Sequence, residues 1–290
     1  MKSRKKENMG YLYIAPWLIG FVVLTLYPFV VSFGYSFTNY DMFKMDFVGI
    51  RNYANIFQND KTALSSLGKT LFYTAVSVPL KLFVALMVAL MLNKIRRGRT
   101  LFYTIFYLPS ILGSSVALAI LWKYLFKKDG LVNLLLGAIG IQGENWLGNP
   151  SLALPVMMLL PLWQMGAPMV LFLAALKNVP QDLIEAAKID GAKKVRIFFK
   201  ITLPMMSPTI FFTTIMTTIA SFKVFDQVFV MTNGGPSKAS YMYVLHIYDY
   251  GFKQFKMGQS STAAVIFFVL LLILTIIQNI MSKRWVNYET

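Results

Sequence analysis

Five stretches of the chain carry no charged side chain: between Glu7 and Asp41, Arg99 and Lys123, Glu144 and Lys177, Lys200 and Lys223, and Lys256 and Lys283. A sixth, Thr70 to Asn93, is apolar apart from Lys81. A helix needs roughly 20 apolar residues to cross a bilayer core, and each run is long enough. The pattern predicts an all-α integral membrane protein with six transmembrane helices, at about 10–37, 70–93, 101–126, 150–176, 207–231 and 258–281. No soluble domain and no internal repeat interrupts them, so residues 1–290 read as one transmembrane domain.

The polar breaks add detail. FVGIRNYANIF (47–57) and LVNLLLGAIG (131–140) have the balance of short helices outside the spans. NKIRRGR (93–99) makes a tight basic turn. The fourth span holds Pro155, Pro161 and Pro168. Proline removes a helical hydrogen bond, so kinks tolerated by neighbours or a cavity are expected there. The first run is too long for a signal peptide and lacks a small-residue cleavage site, so it reads as a retained helix. Trp17 and Tyr11 to Tyr13 suit its inner interface, and Tyr35 and Tyr40 its outer one.

Composition supports a membrane protein: 57% of residues are hydrophobic, mean hydropathy is +0.58, and only 14% are charged. Soluble domains carry about 25% charged residues. The net charge of +16 would suggest nucleic acid in a soluble chain, but here the basic residues sit at the ends of apolar runs. With both termini inside, inner segments hold sixteen Lys and Arg and outer segments ten. That bias favours both termini in the cytoplasm and leaves lipid, not nucleic acid, as the partner. Without cysteine there are no disulfides and no Cys-based metal sites. His246 is the only histidine, and the carboxylates a zinc site would also need are absent nearby in sequence, so it reads as a surface or interface residue. ALSSLGKT (63–70) loosely fits a phosphate loop with Ala63 in place of the first glycine. It enters an apolar span with no strand before it, so no nucleotide site is expected.

The most charged island lies at 177–204, between the fourth and fifth spans. Asn178-Val179-Pro180 suits a helix start, and Asp182 and Glu185 lie early, where the dipole favours acids. Leu183, Ala186, Ala187 and Asp190 share a side, and the paired alanines keep it flat enough for close approach by another protein. Gly191 can take positive φ and end the helix. A second short helix, about 192–200, would hold Lys193, Lys194, Arg196 and Lys200 at the membrane surface, with Val195, Ile197, Phe198 and Phe199 dipping inward. A plain interfacial hairpin linking two spans is the alternative.

Glu185-Ala186-Ala187, Asp190-Gly191-Ala192, Ile201 and Leu203-Pro204 resemble the EAA signature of ABC importer permeases. FDQVFVMTNGGP (225–236), Leu108-Pro109, APWLIGF (15–21) and the V-G-x-x-N-Y of 48–53 extend the resemblance over essentially the whole chain. They are similar to the MalF-like carbohydrate branch in its short six-helix form, without the large outer domain of the maltose version. The resemblance implies that Glu185, Ala186, Ala187, Asp190, Gly191, Ala192, Leu203 and Pro204 form a coupling element docking on a cytosolic ATPase. It also implies a second homologous permease subunit, two ATPase subunits that bind the ATP and Mg, an extracytoplasmic solute-binding protein, and alternating access in a bacterial or archaeal cytoplasmic membrane. No cofactor and no catalysis are expected of this chain.

The fifth span carries Thr213, Thr214, Thr217, Thr218 and Ser221, followed by Phe222 and Phe225. Thr214, Thr218 and Ser221 are expected to share a face. The hydroxyls suit either helix packing or a polar substrate path with stacking faces. In maltose-type permeases this helix supplies substrate contacts. Aligned on the GGP, the corresponding positions are Thr217, Ala220, Ser221 and Val224, two of them apolar. Lys81, mid-span, suits either an interface charge or a substrate contact. Lys223 and Asp226 are spaced to pair. The main expectation is therefore a sugar or oligosaccharide importer permease. The alternatives are a permease for another solute, such as glycerol-phosphate or a peptide, and a non-transporting membrane scaffold.

Overall fold

The computed structural model describes residues 13–95, 97–113 and 116–287. The basic segment 2–6, Tyr11 and the start of the first expected span, Arg96 of the inner turn and residues 114–115 of the third expected span lie outside the described residues.

The chain is nearly all helical. Its helices are α1 (13–35), α2 (Arg51–Gln58), α3 (Lys61–Lys94), α4 (Arg99–Ile111), α5 (Val116–Leu125), α6 (Leu131–Ala138), α7 (Pro150–Trp163) and α8 (Gly166–Asn178). They continue as α9 (Gln181–Ile189), α10 (Lys194–Ile197), α11 (Leu203–Met205), α12 (Ser207–Phe222), α13 (Asp226–Met231), α14 (Tyr243–Tyr248) and α15 (Met257–Ser282). Among the described residues, four helical runs are long and apolar enough to cross a membrane: α1, α3, α12 with α13, and α15. The number is six if the pairs α4–α5 and α7–α8 each count as one span.

The α7–α8 pair bends by 44°. Pro168 explains where. Its ring would collide with the carbonyl four residues back in a continuous helix, and that residue is Gln164, at which α7 ends.

The described residues group into two compact units: those up to Leu64 with His246–Val269, and Ser65–Leu245 with those from Leu270 onward. The first unit is organised by the chain leaving α1. The buried Asn52 side chain donates to the carbonyls of Ser36 (3.1 Å) and Thr38 (2.8 Å). Thr262 Oγ1 donates to the Ser36 carbonyl as well (2.9 Å), and the Gly258 amide to that of Tyr40 (2.9 Å). The Tyr53 hydroxyl meets Ser36 Oγ at 2.7 Å. Gly49, at φ +57, turns the chain into α2. The V-G-x-x-N-Y motif therefore satisfies the backbone of a non-helical segment, a strict requirement once that segment is buried.

The same unit half-buries an acid. Asp60 caps α3 by accepting the Ala63 amide (2.9 Å). Its other oxygen accepts the Tyr250 hydroxyl and lies 3.2 Å from His246 Nε2. His246 was expected at a surface or interface; it is 3% exposed, inside this cluster. The reason is tertiary: Asp60, 186 positions earlier in the sequence, supplies the carboxylate that no sequence neighbour offers. Burial pushes the Asp60 carboxyl up, but the Tyr250 and Ala63 hydrogen bonds and nearby His246 outweigh it and hold it below its usual range. Burial and the Asp60 carboxylate push the Tyr250 phenol up.

Removing the Asn52 amide takes its donor from the Thr38 carbonyl and one of two donors from the Ser36 carbonyl, so Asn52→Ala should lower stability in thermal unfolding by about 1–2 kcal/mol. Asp60→Asn keeps the cap, since Asn caps as well as Asp, and removes the charge. Because the Asp60 carboxyl is held below its unfolded value, its stabilisation is complete above the ordinary carboxylate pKa of about 4 and disappears as pH falls through the lower folded value. The unfolding temperatures of the wild type and Asp60→Asn should thus differ at pH 7, begin to approach as pH falls below about 4, and converge once it passes the lower folded value.

Candidate functional site

Within the second unit, a cavity of about 190 Å³ lies between two helical stripes. Tyr73, Ser77 and Lys81 follow one another at intervals of four on α3 and form one wall. Thr217, Ala220 and Ser221, on one face of α12, and Val224 just past its end form the other. Ser77 Oγ and Ser221 Oγ meet across it at 3.2 Å, and the Tyr73 hydroxyl donates to Gln227 Oε1 at 3.4 Å.

The remaining lining comes from two helix breaks. Lys223, Phe225 and Asp226 sit where α12 gives way to α13. Pro161 and Gln164 sit at the end of α7. Gln164 Nε2 donates to the Gly113 carbonyl (2.6 Å), so its side chain also satisfies the backbone just past α4. Phe225 is stacked on Phe229, with centroids 5.3 Å apart. Lys223 and Asp226, spaced to pair, line the same cavity without forming an ion pair.

The structure divides the hydroxyl-rich helix. Lys81, Thr217, Ser221 and Phe225 line this cavity. Thr214, Thr218 and Phe222 line a separate groove of about 260 Å³ with Leu274 and Gln278 of α15. Thr214 donates back to the Ile210 carbonyl (2.7 Å), Thr213 to that of Thr209 (2.6 Å), and Thr218 accepts from Gln278 Nε2 (3.1 Å). The centres of the rows 214–218–222 and 217–221 are offset by about 80° on an ideal helix, enough to face different neighbours. Tyr73, Ser77, Gln164 and Gln227 were not singled out from the sequence. The four-residue spacing of Tyr73, Ser77 and Lys81 was the available signal.

The island is built differently. α9 ends in a full Schellman motif: the Gly191 amide donates to the Lys188 carbonyl (3.0 Å) and the Ala192 amide to that of Ala187 (2.9 Å). Gly191 sits at φ +76, where a side chain is strained. Asp182 lies in the first turn and Lys188 in the last, complementing the dipole.

Ile184 on α9, Ile201 and Met205 pack onto a core of Ala85, Val88, Ala89 and Leu92 from α3 and Met169, Phe172, Leu173 and Leu176 from α8. The opposite side is open. Glu185, Ala186, Asp190 and Gly191 are exposed, Ala187, Ala192, Leu203 and Pro204 are half-buried, and Ile189 is 87% exposed. Ile189 was not singled out; an apolar side chain so exposed at the helix end is a feature only the fold reveals. Beyond α9, Ile197 is buried and a π turn at Phe198–Thr202 leads into α11. Among the described residues no group of acids and histidine is arranged to hold a metal.

Residues 81–287 match the family described as binding-protein-dependent transport system inner membrane component. The chain belongs to this family. It is a multi-pass membrane protein, and its relatives are ABC transporter permease subunits. It is 41% identical to the probable ABC transporter permease protein YesP of Bacillus subtilis, over 100% of this chain and 95% of that one. It is 36% identical to the lactose transport system permease protein LacF of Rhizobium radiobacter (95% and 93% covered). Identity is 34% to the sn-glycerol-3-phosphate transport system permease protein UgpA of Yersinia pestis (97% and 96% covered). The fold matches a bacterial alginate ABC transporter solved in complex with an alginate pentasaccharide-bound periplasmic protein. The TM-score is 0.85 at 22% identity, over 100% of this chain and 99% of that one.

The seating of α8 against α4 depends on Gly166. A Cβ there would lie 2.6 Å from Ser110 Oγ and 2.9 Å from the Phe106 carbonyl oxygen. Gly166→Val should force the two helices apart, lowering thermal stability by about 1–3 kcal/mol. A wild-type unfolding temperature would contradict this packing.

Proposed function

We propose that this chain is one permease subunit of a saccharide importer in a bacterial or archaeal cytoplasmic membrane. Six spans cross the membrane, with both termini and residues 177–204 on the cytoplasmic side. A homologous permease completes the pathway, two ATPase subunits bind ATP and Mg, and an extracytoplasmic binding protein delivers solute. Glu185, Ala186, Ala187, Asp190, Gly191, Ala192, Leu203 and Pro204, with Ile189 added, form the ATPase-coupling surface. Lys81, Thr217, Ser221 and Phe225 line the substrate path. Thr214, Thr218 and Phe222 pack the helix instead.

The observation that carries this reading is the two-sided island. One side of α9 is seated by Ile184 on the core of α3 and α8; on the other the chain leaves Ala186 and Ile189 uncovered. An uncovered isoleucine beside a rigid Schellman turn and a flat alanine is a compact apolar knob that another protein can grip. An ATPase cleft fits it, and force applied to α9 reaches α3, which carries Lys81, through the shared core. For the solute, hydroxyls and amides beside the Phe225 ring suit a sugar, whose hydroxyls need hydrogen bonds and whose ring face is apolar. LacF supports this reading. UgpA and the two cavity lysines favour glycerol-phosphate as a second reading.

Gly191→Pro removes an amide that donates and imposes a φ near −65° where +76 is required. With the partner subunits, this variant should insert normally, yet ATP-driven uptake should fall by more than about tenfold, equivalent to about 1.4 kcal/mol of lost coupling. Ile189→Asp should weaken ATPase retention during purification. Wild-type uptake and retention in both variants would overturn the coupling assignment.

A further inference from the structure

The cavity carries charge that the protein does not neutralise. Lys81 lies within a membrane-spanning helix and lines the cavity, and among the described residues it has no hydrogen-bond or ion-pair partner. A membrane-embedded cation without a partner is costly and marks a functional path. Lys223 caps the end of α12 and lines the same space, again without an ion pair. Asp226 is the one acid in the lining, and it is paired with neither lysine. Two cations and one anion leave the cavity with a formal charge of +1.

The other polar groups cannot balance it. Ser77 and Ser221 are engaged with each other, Tyr73 with Gln227, and Gln164 with Gly113. Phe225 adds a ring face to the same wall. At about 190 Å³ the cavity is smaller than the roughly 300–1,000 Å³ typical of drug-sized ligands. Its dimensions suit one sugar ring at a time rather than a folded oligomer.

We propose that the solute is an acidic saccharide of the uronate class, its carboxylate passing between Lys81 and Lys223 while its ring lies against Phe225. This rests on the saccharide reading above and narrows it. Asp226 then acts as a selectivity element: its repulsion keeps the anion on the lysine side of the cavity and limits how tightly it is held. A solute must leave as well as enter, and a cavity with two cations and no acid would hold an anion too long.

The test uses the whole complex, purified with its second permease and ATPases but without the binding protein, so that delivery does not impose its own selectivity. Binding of three probes is measured by saturation-transfer NMR: digalacturonate, the neutral galactobiose, and sn-glycerol-3-phosphate. Digalacturonate is expected to bind at least about tenfold more tightly than galactobiose, one charge contact's worth. Lys81→Gln with Lys223→Gln should erase that gap, weakening digalacturonate binding by at least about tenfold relative to galactobiose. Asp226→Asn should widen it, an effect opposite in sign to general damage.

A preference for digalacturonate that survives both lysine substitutions overturns the proposal. Equal binding of the two disaccharides overturns it too, while the saccharide reading stands. Binding of sn-glycerol-3-phosphate without either disaccharide overturns both. Failure of all three probes to bind removes the cavity as a solute site.

Discussion

A backbone crossing a bilayer has no water to bond, so every amide and carbonyl must find its partner within the protein. The rest of this structure follows from that constraint. It makes the spans helical and confines irregular backbone to protected places. The break at Gln164 and the one at Lys223 to Phe225 both lie at the wall of a single cavity. Gln164 spends its side-chain amide on the Gly113 carbonyl. The interruptions that would be intolerable against lipid therefore add Gln164, Lys223 and Asp226 to the polar groups that the helices supply.

A second consequence is mechanical. The α9 turn is rigid because its last carbonyls are satisfied by Gly191 and Ala192. It is attached by apolar contacts, Ile184, Ile201 and Met205, to the ends of α3 and α8. α3 is continuous from that core through Lys81 to Tyr73. Under the proposed docking, movement of α9 is delivered along this one helix to Lys81, and beyond Pro79 to Ser77 and Tyr73. The Leu203-Pro204 step fits the same scheme: Ser207 Oγ donates to the Pro204 carbonyl (2.5 Å) and accepts from the Asn287 amide (2.9 Å), fixing the start of α12.

Much of this was legible in the sequence, and the illegible parts have a common cause. The charge-free runs gave the helical regions because hydrophobic length is a property of each run alone. Gly191 as a helix stop was legible because the motif is local. The consequence of Pro168 was visible as a kink but not as a break at Gln164, which depends on the carbonyl four residues back. Thr214, Thr218 and Ser221 of α12 were expected to share a face, yet Ser221 goes with Thr217 on one side and Thr214 with Thr218 on the other. Which row faces which neighbour is set by α3 and α15, not by α12. His246 and Asn52 make the same point: their partners, Asp60 and the carbonyls of Ser36 and Thr38, are distant in sequence or belong to the backbone.

The central claim is that the open side of α9 is covered by an ATPase. The chain has no cysteine, so Ile189→Cys introduces a single reactive thiol at the most exposed apolar point of α9. The decisive measurement is maleimide labelling of this thiol in the isolated chain and in the complex purified from membranes. The account predicts rapid labelling in isolation, protection in the complex, and a cross-link from position 189 to a co-purifying ATPase. Equal labelling in both samples, or a complex that carries no ATPase, would contradict it.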